Sequence, residues 1–384
     1  MNRLDLFRRL VSMDTTSSNS NVAMADFIAN LYDRRGAEIV RIASQSEPKV
    51  NLAIRLGPPG DERRGGLILS GHMDTVPARE SDWLSDPFVL TERGENFYAR
   101  GAADMKGFLA LAIDATRGLD SSKLREPLVL IFTYDEEVGC LGARRFVEAW
   151  PSDRRLPRNA IIGEPTSLRV VRMHKGHLKL RVAARGKGAH SGYPHLGVNA
   201  IEKGARIIEA LGRLRRELES ERPSHSEHFP EVPYVSLNIA TVRGGNAINV
   251  VPALCEIEVG IRLLPGMKVD EIMERVRRAV HGVDAAAEVE ILSDSPPLLV
   301  DREAPIHHDL ATRMNQTSTE TVSFASDAGW FQTLGIDCVL FGPGSIEVAH
   351  RANEFMPREE LERGAELIRE VIEKETGGHV RTRG

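Results

Sequence analysis

The sequence predicts an α/β fold in which a domain built on a mostly parallel sheet is interrupted by an inserted α+β domain. Apolar runs at 66–70, 128–134 and 160–163 alternate with helical patterns, as is typical of strands buried on both faces of a sheet. From about Lys175 the strands alternate instead between apolar and polar residues, which indicates a sheet with one exposed face. The length of 384 residues exceeds the size at which a single core keeps growing, so two domains are expected.

The parallel-sheet domain is predicted to contain further helices and one more strand. Met105 to Leu119 carries apolar residues at helical spacing, and Gly139 to Trp150 is a second helix candidate. Another strand is predicted at 336–341. The closing helix begins near Pro357, because proline suits the first helical position, and ends at about Glu375 before two glycines.

The inserted domain follows the order β-α-β-β-α-β, which is the split ferredoxin-like arrangement. Its elements in chain order are strand 178–184, helix 198–221, strands 235–242 and 253–264, helix 269–281 and strand 287–292. We therefore expect the inserted domain at 175–290, with 1–174 and 291–384 together forming the parallel-sheet domain.

Bulk composition argues against several classes of protein. With a formal net charge of −5, the chain has no basic excess that would favour nucleic acid or an anionic membrane as partner. No apolar run approaches the roughly 18 to 20 residues of a membrane span. Cys140, Cys255 and Cys338 are odd in number and widely spaced, which argues against a disulfide framework and for a reducing compartment. We expect a cytoplasmic protein.

Polar residues follow the predicted strands, and His72 and Asp74 are the first of them. They are two residues apart at a strand end, so in an extended chain their side chains point the same way. His72 would then be a metal ligand and Asp74 the carboxylate that fixes its tautomer. The alternative is a polar turn that closes the strand.

Carboxylates follow in three later segments. Asp104 directly precedes the helix predicted from Met105 to Leu119, where it either caps the helix or bridges two cations through its two oxygens. Glu136 and Glu137 directly follow a buried strand. Adjacent carboxylates raise each other's pKa unless a cation neutralises them, which favours a metal site. The alternative is a solvated, acidic loop. Glu164 follows the third strand and His350 lies near the C-terminus, and each is equally compatible with an ordinary loop.

The joint pattern of these positions predicts a metal centre. In an open α/β sheet, ligands gather beyond the carboxyl ends of the strands, so residues far apart in sequence converge there. Two histidines and three carboxylates, with a spare glutamate beside them, are the donor set that a two-metal hydrolase needs. The five ligand candidates are His72, Asp104, Glu137, Glu164 and His350.

These motifs resemble the dinuclear-zinc amidohydrolase and peptidase family that includes acetylornithine deacetylase, succinyl-diaminopimelate desuccinylase and glutamate carboxypeptidase. The resemblance covers nearly the whole chain, including the inserted domain. Four further segments are similar to the acetylornithine deacetylase branch: Gly163–Ser167, His174–His177, Arg262–Met267 and Phe341–Ser345. The fold implied by this resemblance is a zinc-peptidase-like catalytic domain with an inserted dimerisation domain.

The resemblance also implies a role for each residue of the metal centre. The two metal ions would share five ligands, with Asp104 bridging, His72 and Glu164 completing one metal, and Glu137 and His350 completing the other. Glu136 would be the general base and acid, and Asp74 would support His72. Zinc is the usual metal of the family, and mixed imidazole and carboxylate ligation also permits cobalt or manganese.

Three residues of the inserted domain and one turn of the catalytic domain complete the implied site. His190 resembles the histidine that family dimers donate across the subunit interface to stabilise the developing oxyanion; the alternative is a surface histidine in a glycine-rich turn. Arg262 resembles the arginine that holds the substrate α-carboxylate, with Asn249 assisting. Backbone N–H groups at Gly342 and Gly344 would bind the same carboxylate, or the segment is a plain strand-to-loop turn. A homodimer is implied.

The expected reaction is hydrolysis of a small N-acyl amino acid, with N2-acetyl-L-ornithine giving L-ornithine and acetate in arginine biosynthesis. A desuccinylase, a broader aminoacylase or a dipeptidase would share the ligand motifs, so these substrates stay open. A catalytically silent binding protein would be expected to lack ligands or the base, whereas all six positions are filled here. The pairs His225/His228 and His307/His308 lack the framing of the site and are not expected to bind metal, and Cys140 is expected to pack.

Overall fold

The computed structural model describes residues 1–33, 36–58, 65–79 and 81–378, and it divides the chain into two compact units. The first unit comprises Met1–Arg172, Val300–Glu320 and the chain from Ser326 onward. The second unit comprises Met173–Leu299 and Thr321–Ala325. The chain leaves the first unit after Arg172 and returns at Val300, whose N–H donates to the Arg172 carbonyl oxygen at 3.0 Å.

The helices begin and end where local sequence favours it. The first is capped by Asn2, whose side chain accepts from the Asp5 N–H while the Asp5 carboxylate accepts from the Asn2 N–H. Among the described residues, no helix has the length and hydropathy needed to cross a membrane. The α-helices there are α1 Arg3–Val11, α2 Val22–Leu31, α3 Gly107–Thr116, α4 Leu141–Ala149, α5 Ala200–Ser220, α6 Val269–His281, α7 Pro305–Arg313, α8 Ala328–Gln332 and α9 Arg358–Thr376.

The strands range from two-residue pairs to ten-residue ladders. In the described part of the chain they are β1 Ala37–Ala43, β2 Val50–Leu56, β3 Leu67–His72, β4 Thr91–Arg93, β5 Asn96–Tyr98, β6 Leu128–Thr133, β7 Asn159–Ile162, β8 Val171–His174, β9 Gly176–Arg185, β10 Ala189–His190, β11 Ser236–Gly244, β12 Val250–Val251, β13 Leu254–Leu263, β14 Glu288–Ser295, β15 Leu298–Leu299, β16 Glu320–Val322, β17 Asp337–Leu340 and β18 Phe355–Pro357.

The sheet of the first unit has four parallel strands at its centre, in the order β6-β3-β7-β17. Strands β2 and β1 extend it antiparallel beyond β6. Every residue of β3 and β6 is buried, as expected for apolar runs covered on both faces. Helix α3 packs in the core of this unit with Phe108, Leu109 and Leu111 buried. The predicted mostly parallel sheet is therefore present.

The parallel strands end together at one edge of this sheet. His72, the last residue of β3, lies opposite Thr133, the last residue of β6. Ile162, the last residue of β7, is paired with Ser70 of β3 and with Leu340, the last residue of β17. The chain segments that follow these four strands therefore start from the same edge, where ligands of open α/β sheets are found.

The second unit is a four-stranded antiparallel sheet in the order β11-β13-β9-β14, with helices α5 and α6 in the order β-α-β-β-α-β. Leu178, Leu180 and Val182 alternate along β9 and share a buried core with residues of both helices. Between them Arg181 is partly exposed and lies 3.4 Å from Glu290 of the neighbouring strand. This alternation gives the sheet one covered face, as the sequence pattern predicts.

Candidate metal centre

His72 is held at the end of β3 with a defined ring orientation. Its side chain is buried, and its Nδ1 lies 3.0 Å from the backbone carbonyl oxygen of Asp74. A carbonyl oxygen only accepts hydrogen bonds, so Nδ1 carries a proton. Nε2 lies 2.9 Å from Oδ1 of Asp104 and donates to it when protonated, whereas loss of that proton leaves a lone pair on Nε2. The tautomer is the one that a metal-binding imidazole needs.

Asp104 lies in an irregular turn, Ala102–Lys106, and does not cap α3. Its φ of −117° and ψ of 88° are not helical, and Lys106 rather than Asp104 precedes α3. Its two carboxylate oxygens face different histidines: Oδ1 faces His72, and Oδ2 is 3.3 Å from Nε2 of His350. This is the orientation that a carboxylate bridging two cations requires.

Glu137 and His350 form the second half of the cluster. Nε2 of His350 lies 2.8 Å from Oε2 of Glu137, while Oε1 of Glu137 is buried without a hydrogen-bond partner. Glu164, which directly follows Gly163 after β7, is also buried, and its Oε1 likewise has no partner. Buried carboxylate oxygens without donors are costly in a folded protein, so each indicates an additional ligand.

The charges of the cluster are not balanced by the protein alone. Burial, reinforced by the charge of Asp104, raises the pKa of Glu137 to about 7 and raises that of Glu164 well above its usual range. Burial opposes ionisation of Asp104 too, but hydrogen bonds from His350 and His72 outweigh it and lower the Asp104 pKa. Hydrogen bonds to Asp104 and Glu137 raise the pKa of His350 to about 10.

This donor set fits divalent metal ions. Single ligand atoms of His72, Asp104 and Glu137 all lie within 4.8 Å of one another. Imidazole nitrogens and carboxylate oxygens are the ligands that zinc, manganese and cobalt accept in proteins. Two histidines are the positive groups beside these carboxylates, and a bound cation would add a further positive charge. It would also give the unpartnered oxygens of Glu137 and Glu164 a partner.

Asp74 connects His72 to the loop that carries the two adjacent glutamates. Its carboxylate accepts from the N–H of Glu136 at 3.1 Å, from the N–H of Glu137 at 3.3 Å and from the Ser17 hydroxyl at 2.8 Å. The same carboxylate is 3.6 Å from Nδ1 of His72, farther than the Asp74 backbone oxygen that accepts from that ring. Asp74 thus orients His72 through its main chain and orients the glutamate loop through its side chain.

Glu136 points into a buried polar pocket that includes a residue not found by sequence reasoning. Ligand atoms of Glu136, Cys140 and Asp327 lie within 4.8 Å of one another, and the Cys140 thiol is 3.5 Å from Oε1 of Glu136. Asp327 also accepts from the Thr133 hydroxyl at 2.5 Å. Burial raises the pKa of Asp327 to about 6. Asp327 follows no apolar strand in the sequence, so nothing in its local pattern pointed to the site.

Of the predicted site residues in the second unit, His190 and Asn249 lie on neighbouring segments, and Arg262 lies on strand β13. His190 is exposed, and its Nδ1 accepts from the Gly192 N–H at 3.0 Å. Strand β10, which contains His190, pairs with β12, and the Ser191 N–H donates to the Asn249 carbonyl oxygen at 2.9 Å, so the structure brings these two segments together. Arg262 is exposed on β13, opposite His177 of β9.

Gly342 and Gly344 are required for close packing in the first unit. A Cβ at Gly342 would lie 2.6 Å from the Glu164 carbonyl oxygen, and Gly344 has a φ of +86° with Ala103 in close approach. The N–H of Gly342 donates to the Thr166 hydroxyl at 3.2 Å, and that of Gly344 donates to the Glu360 carboxylate at 2.8 Å. To bind a substrate carboxylate, both N–H groups would have to exchange these partners.

The remaining histidine pairs differ from each other. His225 and His228, paired in the sequence, lie in a turn with the exposed Glu227 between them, and their ligand atoms are within 4.8 Å of one another. His307 instead places Nδ1 2.8 Å from the Arg302 carbonyl oxygen. That neither pair binds metal stays a prediction.

Comparison with known sequences identifies the family. Residues 68–374 match Peptidase family M20/M25/M40. The acetylornithine deacetylase of Pectobacterium carotovorum subsp. carotovorum (strain PC1) is 36% identical to this chain over 380 residues, which cover 96% of each protein. The chain therefore belongs to Peptidase family M20/M25/M40, and the family predicted from the strand-end motifs is confirmed.

Solved structures share the fold. An aminopeptidase from Bacillus cereus superimposes with a TM-score of 0.72 at 22% identity, covering 97% of this chain and 98% of that one. A dinuclear metal-binding peptidase of the M20 family from Bacillus subtilis gives a TM-score of 0.63 at 17% identity over 95% of each chain. The predicted α/β fold class is confirmed by these likenesses.

Proposed function

We propose that this chain is a metal-dependent amidohydrolase that converts N2-acetyl-L-ornithine to L-ornithine and acetate, as a cytoplasmic step of arginine biosynthesis. The observation that carries the proposal is the carboxylate of Asp104, whose two oxygens face His72 and His350. The substrate is supported by the full-length similarity to acetylornithine deacetylases. The chain belongs to a hydrolase family, and its centre has the donors of a two-metal site.

Two divalent cations would be held by the five ligand candidates of the first unit. His72 and Glu164 would complete one ion, Glu137 and His350 the other, and Asp104 would bridge them. Zinc fits these mixed nitrogen and oxygen donors, and cobalt or manganese would substitute. When bound, such a pair supplies Lewis acidity that lowers the pKa of a water molecule and polarises an acyl carbonyl.

Glu136 is the proton carrier in this proposal. Burial, then the charge of Glu164, raises the pKa of Glu136 well above its usual range, which favours uptake of a proton by this carboxylate. It accepts a proton from the attacking water and returns it to the amine that leaves. The Asp74 carboxylate accepts from the Glu136 N–H and so fixes the backbone position from which the Glu136 side chain extends.

His190 supplies the hydrogen bond to the developing oxyanion in this proposal, and it comes from the partner subunit. Because its Nδ1 accepts from the Gly192 N–H, the neutral ring carries its proton on Nε2, which is then available as a donor. Around His190 the second unit exposes large apolar side chains, with Tyr193 59%, Leu196 55% and Ile248 102% exposed. An exposed apolar surface of this kind supports a homodimer with the second unit at its interface.

The substrate carboxylate is assigned to Arg262, with Asn249 assisting and with Gly342 and Gly344 as backbone donors. A guanidinium suits this role because it presents two parallel N–H groups to a carboxylate. Arg262 is exposed, and its charge contributes to lowering the pKa of the buried His174, after the larger effect of burial. This part of the proposal concerns substrate binding and not the chemical step.

Acyl release from a short substrate panel tests the function. The panel contains N2-acetyl-L-ornithine, N-succinyl-diaminopimelate, an acetylated neutral amino acid and a dipeptide, each with and without a chelator. We expect the largest kcat/KM for N2-acetyl-L-ornithine, loss of activity with chelator and recovery with added zinc. A larger kcat/KM for another panel member would make that compound the proposed substrate instead. Full activity in the metal-stripped protein would contradict the proposed metal-dependent hydrolysis.

A further inference from the structure

Glu354 is a buried carboxylate that connects two loops of the candidate metal centre. It is 1% exposed and lies at the end of the short segment that begins with His350. Its Oε1 accepts from the backbone N–H of Asp104 at 3.1 Å and of Ala103 at 2.9 Å. Its side chain is therefore bonded to the main chain of the proposed bridging ligand, while its own main chain leads to another proposed ligand.

The second oxygen of Glu354 fixes the start of the same turn. Oε2 accepts from the Gly101 N–H at 3.0 Å and from Nη1 of Arg100 at 2.9 Å. Arg100 also donates to the carbonyl oxygens of Arg351 and Pro77, at 3.3 Å and 3.2 Å. Glu354 and Arg100 thus form a buried ion pair at the joint between the two loops.

Only a carboxylate satisfies this arrangement. Four N–H donors point at two oxygens, and an ionised carboxylate accepts at both of them. A glutamine amide would accept at its oxygen alone and would turn its NH₂ group toward two other donors. An aspartate would keep the charge beside Arg100 but would be one methylene too short to reach both loops. The residue type is therefore set by the geometry of the Asp104 turn.

We infer that Glu354 is a positioning residue that holds Asp104 and His350 at the separation needed to bind metal. The inference rests on the proposed function, because it takes these two residues as ligands. It assigns Glu354 no contact with substrate or with the reacting atoms. Residues that orient metal ligands in this way change metal affinity when they are replaced, typically by roughly 10- to 100-fold.

The test measures zinc affinity of the full-length chain by competition with a chelating dye. The variants are Glu354→Gln and Glu354→Asp. The matched control is Asp309→Asn, which removes the charge of a carboxylate that accepts from Arg313 at 2.9 Å and from Lys374 at 2.7 Å, away from the candidate centre. Thermal unfolding of each metal-free variant is recorded in parallel, so that a loss of affinity is compared with the loss of stability.

We expect both Glu354 variants to bind zinc at least about 10-fold more weakly than the parent, and to recover kcat when zinc is saturating. The Asp309→Asn control is expected to bind zinc like the parent, whatever its loss of stability. Parental zinc affinity in either folded Glu354 variant overturns the inference, as does a kcat that stays low with full metal occupancy. Failure of both variants to fold also overturns it, since Glu354 would then serve the fold. Failure of the parent chain to bind zinc would contradict the proposed function itself.

Discussion

In the first unit, Glu136, Glu137 and Glu164 are carboxylates whose pKa values are raised by burial. In the second unit, His174 and His177 are imidazoles whose pKa values burial lowers, to about 4 and about 3. Both regions bury titratable groups, but the carboxylates meet further negative charge, whereas the histidines meet the positive charge of Arg262.

This contrast indicates that the carboxylate region of the first unit is the one built for a ligand. The carboxylates of the first unit leave two oxygens without partners and gather more acid than the two histidines beside them neutralise. The histidines of the second unit stay neutral instead. His174 places Nδ1 3.1 Å from the Lys175 carbonyl oxygen, and its Nε2 is buried without a partner but carries no charge. One region keeps unfavourable charge that a cation would relieve, and the other removes charge to suit the core.

Replacing Glu136 is expected to give the largest effect and to show whether the carboxylate region serves chemistry. Glu136→Ala should lower kcat by roughly two to four orders of magnitude, because the proton carrier is lost, while metal content stays near two ions per chain. Steady-state rates and metal analysis of the same sample measure both. Glu148→Ala, on the exposed face of α4 beside Arg144, is the control and should keep parental rates.

Retained activity in metal-loaded Glu136→Ala would contradict the assignment of the proton carrier. The raised pKa of Glu136 would then reflect only burial and the charge of Glu164, with no role in proton transfer.

Mixing two inactive variants tests whether the second unit contributes to catalysis from the partner subunit. His190→Ala and Glu136→Ala homodimers are each expected to be nearly inactive. If His190 acts across the interface, a mixed dimer has one intact site. Random exchange of equal amounts should then restore about a quarter of parental activity, from two-fold symmetric assembly. Rates measured before and after subunit exchange check this.

No recovery on mixing, with exchange verified by native mass spectrometry, would place His190 in the site of its own chain or outside catalysis. Parental activity in His190→Ala alone would remove the residue from the reaction.

The pH dependence of stability is expected to have opposite signs in the two units of the metal-free chain. Between pH 7 and 4.5 the folded state binds a proton at Glu137, whose pKa is raised to about 7, and the unfolded chain does not, so the first unit gains stability as pH falls. Between 6.5 and 4 the unfolded chain protonates His174, whose folded pKa is about 4, and this group alone costs the second unit about 3 kcal/mol as pH falls. His177, whose folded pKa is about 3, adds a loss of the same sign.

Hydrogen exchange followed by mass spectrometry separates the two signs, because peptides of β6 and β9 report on different units. His174→Gln should weaken the response of β9 peptides, leaving the part due to His177, and should leave β6 peptides unchanged. Saturating zinc should abolish the gain at β6. The same sign in both peptides would contradict the contrast between the regions.

The strand ends were predictable because a buried parallel strand leaves a strong local signal. Apolar runs marked β3, β6 and β7, and the polar residues after them include His72, Glu137 and Glu164. Helix α3 begins later than predicted, at Gly107, because Asp104 and Met105 adopt non-helical angles. The predicted domain boundary at 290 falls inside β14, which continues through the polar residues to Ser295.

Other features leave no local signal because they depend on contacts distant in sequence. Glu354 accepts from backbone N–H groups of a turn in another part of the chain, and any residue can supply an N–H. Asp327 is recognisable only from its neighbours Thr133 and Cys140. Strand β1 at the sheet edge and its neighbour β2 were not predicted. β1 shows no regular alternation of exposed and buried positions, and Asn51 and Arg55 interrupt the apolar residues of β2.

The hydrogen bond from the Val300 N–H to the Arg172 carbonyl oxygen has a consequence for the gene. The two ends of the intervening segment leave and rejoin the first unit at neighbouring points of its backbone. A coding segment gained, exchanged or deleted between these codons leaves the central parallel order β6-β3-β7-β17 unchanged, because all four strands lie outside it. The central parallel strands are therefore compatible with modular evolution of the intervening segment, without rethreading the polypeptide.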